Sequence, residues 1–170
     1  METRQLMPSD WQTWKSFRLS ALQESPTNFG SSYEEERDKS PEQWRGWIEK
    51  EVILGAFVND TLVGSAGLRR LEEHRTRHRG VVFGVYVAPA SRRAGIATLL
   101  LKKLFAYARA TNIVQLQIGV DAANEAAAHF YEKIGFKTCG LMPRALIINA
   151  TPHSIRHMFL CLDGYNESTT

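Results

Sequence analysis

The segment Val85-Tyr86-Val87-Ala88-Pro89-Ala90-Ser91-Arg92-Arg93-Ala94-Gly95-Ile96-Ala97 combines features that suit phosphate chemistry. A strand-like stretch ends, a short loop of small residues carries two arginines, and a helical pattern begins. The first turn of a helix leaves backbone N–H groups unpaired and carries partial positive charge, so it attracts phosphate oxygens. Gly95 and Ala97 keep side-chain bulk away from that backbone, and Arg92 and Arg93 add fixed charge. The segment is not a P-loop, because Gly-Lys-Ser/Thr is missing, nor a dinucleotide fingerprint, which needs three glycines.

The elements that must position this loop can be read from periodicity. Strand patterns cover residues 2–7, 52–58, 62–71, 81–87 and 114–120, then 136–148 (interrupted at Pro143) and 155–162. Within 81–87, Val81, Phe83, Val85 and Val87 share one face, and Gly84 predicts a bulge or a close approach by another chain. Helical spacing covers 11–24, with Ser9 or Asp10 as cap, and a polar piece from Tyr33. Ser40-Pro41 opens a helix through Trp44, Trp47 and Ile48. The pattern returns over 95–110, where Ile96, Leu99, Leu100, Leu104, Tyr107 and Ala108 form the buried stripe, and over 124–134, closed by Gly135 and Phe136. The fold class is therefore α/β, a mixed sheet with helices on both faces, and the strands before the central βαβα unit are antiparallel.

Composition narrows the function classes. The chain has 170 residues, 44% hydrophobic and 23% charged, which suits one folded domain over 1–163 and a polar tail over 164–170. No stretch is long and apolar enough for a membrane span, and the first ten residues lack the apolar core of a secretory signal. A cytoplasmic protein is expected. Cys139 and Cys161 lack metal-ligand spacing and read as buried thiols, so no metal is expected. The net charge of +3 is a weak excess. Much of it lies in Arg69, Arg70, Arg75, Arg77 and Arg79, with His74, His78, Glu72 and Glu73 between them, and this cluster reads as a solvated hairpin rather than a nucleic-acid surface.

Three matches in order then identify a resemblance. Arg92-x-x-Gly95-x-Ala97 after a strand is similar to the Q/R-x-x-G-x-G/A signature of the GNAT N-acetyltransferase superfamily. Asn124, Ala127 and Phe130-Tyr131-Glu132-Lys133-Ile134-Gly135-Phe136 resemble that family's N-x-x-A-x-x-x-Y-E-K-x-G-F segment. Asp10-Trp11, Arg18-Leu19, Pro26 and Phe29 through Glu36 resemble openings of its bacterial members. The resemblance spans nearly the whole chain. It implies a mostly antiparallel twisted sheet of about seven strands, splayed between the fourth and fifth.

The resemblance also implies the site. Backbone amides of Arg92, Arg93, Ala94, Gly95, Ile96, Ala97 and Thr98 would hold the pyrophosphate of acetyl-CoA. Val85 and Val87 would flank its pantetheine arm, the Val87 amide would polarise the thioester carbonyl, Asn124 would touch the cofactor, and Tyr131 would be the general acid at the sulfur. The implied activity is transfer of an acetyl group to a primary amine of a small molecule, an amino-acid derivative or a protein, by direct attack. Family members often dimerise, and the apolar strands over 141–148 and 158–162 are candidates for a homodimer contact.

Aminolysis needs a base, because an alkylammonium of pKa about 10.4 must lose its proton. Some relatives use a glutamate on the strand before the phosphate loop, and 81–87 has no acid. Glu72, Glu73, His74, His78, Asp121 or a water chain remain as alternatives. The missing base also motivates a second reading, a non-catalytic acyl-CoA-binding module. Tyr131 can equally be a core aromatic and Asn124 a helix cap. His153 and His157 read as structural, and Trp44 and Trp47 as core or as pocket lining.

Overall fold

A computed structural model describes residues 1–165, so residues 166–170 of the expected polar tail lie outside the described residues. The strands are β1 (Glu2–Gln5), β2 (Val52–Val58), β3 (Thr61–Arg70), β4 (Arg79–Val87), β5 (Gln115–Asp121), β6 (Lys137–Ile148) and β7 (Thr151–Cys161). They form one mixed sheet in the order β1-β2-β3-β4-β5-β7-β6. Its parallel pair, β4 with β5, has a ladder of only three residue pairs, from Arg79↔Gln115 to Val81↔Gln117. The helices are α1 (Trp11–Glu24), α2 (Tyr33–Arg37), α3 (Pro41–Lys50), α4 (Ile96–Ala110) and α5 (Glu125–Lys133). The chain divides into two compact units, Met1–Arg69 with Val82–Leu104, and Arg70–Val81 with Phe105 onward.

The first unit is built on aromatic packing. Trp14, Phe17, Phe29, Trp44, Ile48, Ile53 and Tyr86 are buried in one cluster, with Trp47 and Phe83 packed against it. Trp44 and Trp14 are almost fully enclosed, so both are core residues. Trp47 stacks between Trp44 and Phe83, with ring centroids 5.6 and 6.1 Å away. Phe83 and Tyr86 both meet this cluster, Tyr86 through Phe17 at 5.4 Å. Residues three apart on a regular strand point to opposite faces, so an extra residue must intervene. Gly84 supplies it: its φ is +59°, and its carbonyl accepts a hydrogen bond from Ser65 Oγ at 2.8 Å. The shared odd-numbered face expected for β4 therefore does not continue past Gly84.

Two local expectations need correction. Asp10 precedes α1 but makes no side-chain cap. Its carboxylate instead accepts from the Met7 amide at 2.7 Å and pairs with Arg4 at 2.7 Å, which ties β1 to the helix start. Along α4, Tyr107 is exposed, whereas Leu101 and Phe105 are buried. The apolar stripe is wider than the i, i+3, i+4 pattern alone suggests. Ser40 caps α3 as expected, accepting from the Gln43 amide.

The second unit shows how α5 is closed. Asn124 Oδ1 accepts from the Ala127 amide at 3.0 Å, so Asn124 is the helix N-cap. At the other end the amides of Gly135 and Phe136 donate to the carbonyls of Glu132 and Tyr131, each at 3.0 Å. This is the Schellman arrangement, and the Phe136 ring lies 5.6 Å from that of Tyr131, the hydrophobic contact that accompanies it. β7 begins four residues earlier than the periodicity suggests, because it pairs with β6 back to Thr151↔Ile148. The register shift between Met142 and Leu146 absorbs Pro143, which has no N–H for the ladder.

One buried ion pair organises the first unit. Arg18 Nε and Nη2 donate to the two oxygens of Glu36 at 3.0 and 2.9 Å, and Nη2 also donates to Ser31 Oγ at 2.9 Å. Burial pushes the Glu36 carboxyl up, but the guanidinium and the Ser31 hydroxyl outweigh it and hold the group below the usual carboxylate range. Removing one partner of a buried pair strands the other charge at a cost of about 3–5 kcal/mol. Glu36→Gln should therefore lose on the order of 3 kcal/mol in urea unfolding at pH 7. A carboxylate with a depressed folded pKa stabilises above its unfolded value near about 4.3 and loses that contribution as pH falls through the folded value. The deficit of Glu36→Gln relative to wild type should accordingly shrink below about pH 4; a deficit independent of pH would contradict this assignment.

Candidate active site

In the first unit the loop after β4 has a backbone shape that leaves donors free. Arg92 is extended, Arg93 has φ +65° and Gly95 φ +75°, so left-handed residues alternate with ordinary ones. Among the described residues, the amides of residues 93–98 have no hydrogen-bond acceptor; the first bond of α4 is Leu99 N–H to Gly95 C=O at 3.0 Å. Consecutive outward N–H groups of this kind form a concave anion-binding nest. Arg93, Ala94 and Gly95 are exposed, and a Cβ at Gly95 would meet nothing within 4 Å. The concavity is open to a ligand.

Contacts within the same unit fix the head of α4. A Cβ on Gly64 of β3 would come 2.7 Å from Ile96 Cγ2, so the helix start rests where β3 has no side chain. Arg92, expected as a phosphate contact, turns back instead. Its Nε donates to the Val87 carbonyl at 3.0 Å and its Nη2 to Glu24 Oε2 at 2.9 Å. The Ser25 hydroxyl and then Arg92 hold the Glu24 carboxyl below its usual range, and the bond to Glu24 raises the Arg92 guanidinium further. Burial, and then the Glu24 charge, push the Tyr86 phenol up beside them. Arg92 thus braces the loop between β4 and the end of α1, which leaves Arg93 as the exposed charge at the nest. Val85 and Val87 lie on β4 immediately before it.

In the second unit, Asn124 and Tyr131 sit on α5 about two turns apart. Tyr131 is buried, with its ring 5.3 Å from Phe130 and 5.6 Å from Phe136, and burial pushes its phenol well above the usual tyrosine range. It stays protonated at physiological pH, so its O–H is available as a hydrogen-bond donor. Among the base candidates, Glu72, Glu73, His74 and His78 are exposed on the turn before β4. Asp121 is enclosed and occupied: one oxygen accepts from the Ala123 amide at 2.8 Å, the other meets His153 Nδ1 at 2.7 Å. His153 was read as structural from sequence. The antiparallel pairing Asp121↔Ile155 brings it to Asp121 across 32 positions, a proximity that no local pattern signals. The contact with Asp121 occupies Nδ1 of His153 and leaves Nε2 as the other ring nitrogen.

The sequence model of the Acetyltransferase (GNAT) family matches residues 14–136, well over half of the chain. The chain belongs to the GNAT acetyltransferase family. The matched region contains β4, the nest, α5 and its Schellman close. This GNAT chain is 27% identical to the spermidine N(1)-acetyltransferase of Vibrio cholerae over 129 residues, 75% of each chain. It is 34% identical to the spermidine N(1)-acetyltransferase of Escherichia coli over 94 residues, 55% of this chain and 50% of that one. The chain spans between a quarter and three quarters of the curated relatives it matches. In fold it is similar to yncA of Salmonella typhimurium, whose structure contains its cofactor acetyl-CoA, with a TM-score of 0.83 at 20% identity over 98% of this chain and 96% of that one.

The nest depends on the left-handed residue at Gly95. A side chain there costs about 1–2 kcal/mol to hold in that conformation, equivalent to about 5–30-fold in affinity. Gly95→Val should weaken coenzyme A binding by that factor in calorimetry, because the loop leaves the left-handed conformation rather than holding the strain. Unaltered affinity would mean that the nest does not carry the phosphates.

Proposed function

We propose that this GNAT acetyltransferase takes its acetyl group from acetyl-CoA and delivers it to a primary alkylamine by direct attack, residues 1–163 acting as one catalytic domain. The observation that carries the reading is the row of unpartnered amides over residues 93–98 at the head of α4. A pyrophosphate offers the acceptor oxygens that such a row lacks. Arg93 adds charge, while Arg92 holds the loop rather than the ligand. Acetyl-CoA supplies the activated thioester. Val85 and Val87 flank its pantetheine, the Val87 amide N–H donates to the developing oxyanion, and Asn124 touches the cofactor arm.

The proton inventory can be assigned to this chain's residues. His153 Nε2, oriented by Asp121, removes the proton from the ammonium of the acceptor. Tyr131 donates a hydrogen bond to the departing sulfur. Its raised pKa suits hydrogen-bond donation better than full proton release, because a thiol near about 8.5 is the stronger acid. The acceptor named for the relatives, spermidine, is an alkylamine of the right class and the first to assay.

Acetyl-CoA with a panel of amines, followed by release of free thiol, tests the reading; no turnover with any amine, alongside tight coenzyme A binding, would instead favour the acyl-CoA-binding module. With a turned-over amine, Tyr131→Phe should lower kcat by about 10²-fold with little change in KM for acetyl-CoA, and His153→Ala should lower kcat/KM by about 10²-fold or more. An unchanged kcat in Tyr131→Phe would remove that residue from the chemistry.

A further inference from the structure

Among the described residues Arg79, in the second unit, lines a cavity without a carboxylate beside it. Arg4, Arg18, Arg69, Arg92 and Arg156 each pair with a carboxylate. Arg79 is half-buried, and among the described residues it has no acidic partner. Its Nη2 donates to the Gln117 side-chain oxygen, and its Nε is buried with no acceptor at all. The guanidinium itself lines the cavity, and its charge, which no carboxylate of the lining neutralises, is what an anionic ligand there would meet.

The cavity beside it has a volume of about 490 Å³, within the range of small-molecule sites. None of its twelve lining residues is Asp or Glu. Polar groups come from Arg79, Gln115, Gln117 and His157, and an apolar wall from Val81, Met158 and Phe159. Gly119 pairs with His157 across β5 and β7 and adds no side chain of its own, which opens the space in front of the imidazole. Cys139 and Cys161 also line it; they are exposed and half-exposed, not the buried thiols expected from sequence. A polycation finds no carboxylate here and meets a fixed positive charge instead. A planar carboxylate matches the guanidinium fork, and an apolar body matches the wall.

We propose that this cavity is a binding site for a small organic carboxylate with an apolar body, held by Arg79 and the amide of Gln117. The site stands on binding alone and does not depend on acetyl transfer. Its test uses three probes on the full chain: 3-phenylpropionate, phenethylamine, which carries a similar body on an ammonium, and spermidine. Calorimetry should show saturable binding of 3-phenylpropionate only. Mass spectrometry of iodoacetamide-treated protein should show alkylation of Cys139 and Cys161 slowed by that probe and by neither amine. Arg79→Gln should weaken binding by at least about tenfold, the scale of a lost charge-assisted hydrogen bond. Should that variant fail to fold, Cys139→Trp, which fills the cavity from an exposed position, should abolish binding in its place. Equal protection by an amine, no saturable binding of 3-phenylpropionate, or wild-type affinity in folded Arg79→Gln or Cys139→Trp would overturn the proposal.

Discussion

Backbone amides that fold without partners are the constraint around which the first unit is arranged. The N–H groups of residues 96–98 lack an acceptor as in any first helical turn, and those of residues 93–95 extend the row because neighbouring contacts hold the loop in its left-handed shape. Here Arg92 does so, bonded to the Val87 carbonyl behind it and to Glu24 at the end of α1. Gly64 lets Ile96 sit against β3, so the first turn of α4 cannot slide to close the gap. The surrounding aromatic core supplies rigidity: Tyr86 is locked between Phe17 and Phe29 one residue before Val87.

The bulge at Gly84 serves the same end by a different route. It lets both Phe83 and Tyr86 pack on one cluster, which turns the last residues of β4 relative to the first. The ladder between β4 and β5 consists of three pairs ending at Val81, so the backbone of the following residues is not committed to β5 by that ladder. The Arg18–Glu36 pair lies against the same bulge, with Arg18 Nη1 3.8 Å from where a Gly84 side chain would begin.

What sequence reveals here is what depends on neighbours along the chain. The Ser40 cap, the Asn124 cap, the Gly135 close and the bulge at Gly84 involve residues within a few positions, and each is legible as a residue type at the right place. The motif Arg92-x-x-Gly95-x-Ala97 also locates the loop. It does not reveal that the Arg92 side chain bonds Glu24, because that partner lies 68 positions away. Asp121 and His153 meet only through strand pairing, and the unpaired charge of Arg79 appears only when its surroundings are known. Cys139 and Cys161 follow the same rule: apolar character suggests burial, but they border a cavity and are exposed and half-exposed.

The central claim is that the free amides at the head of α4 hold the pyrophosphate of acetyl-CoA. Amide chemical shifts in a nitrogen-15 labelled sample test it without any acceptor or turnover. On titration with coenzyme A, the amides of residues 93–98 should move downfield together and saturate with one affinity, while free pantetheine should leave them in place. Saturable binding of coenzyme A that leaves those six amides unmoved would contradict the account.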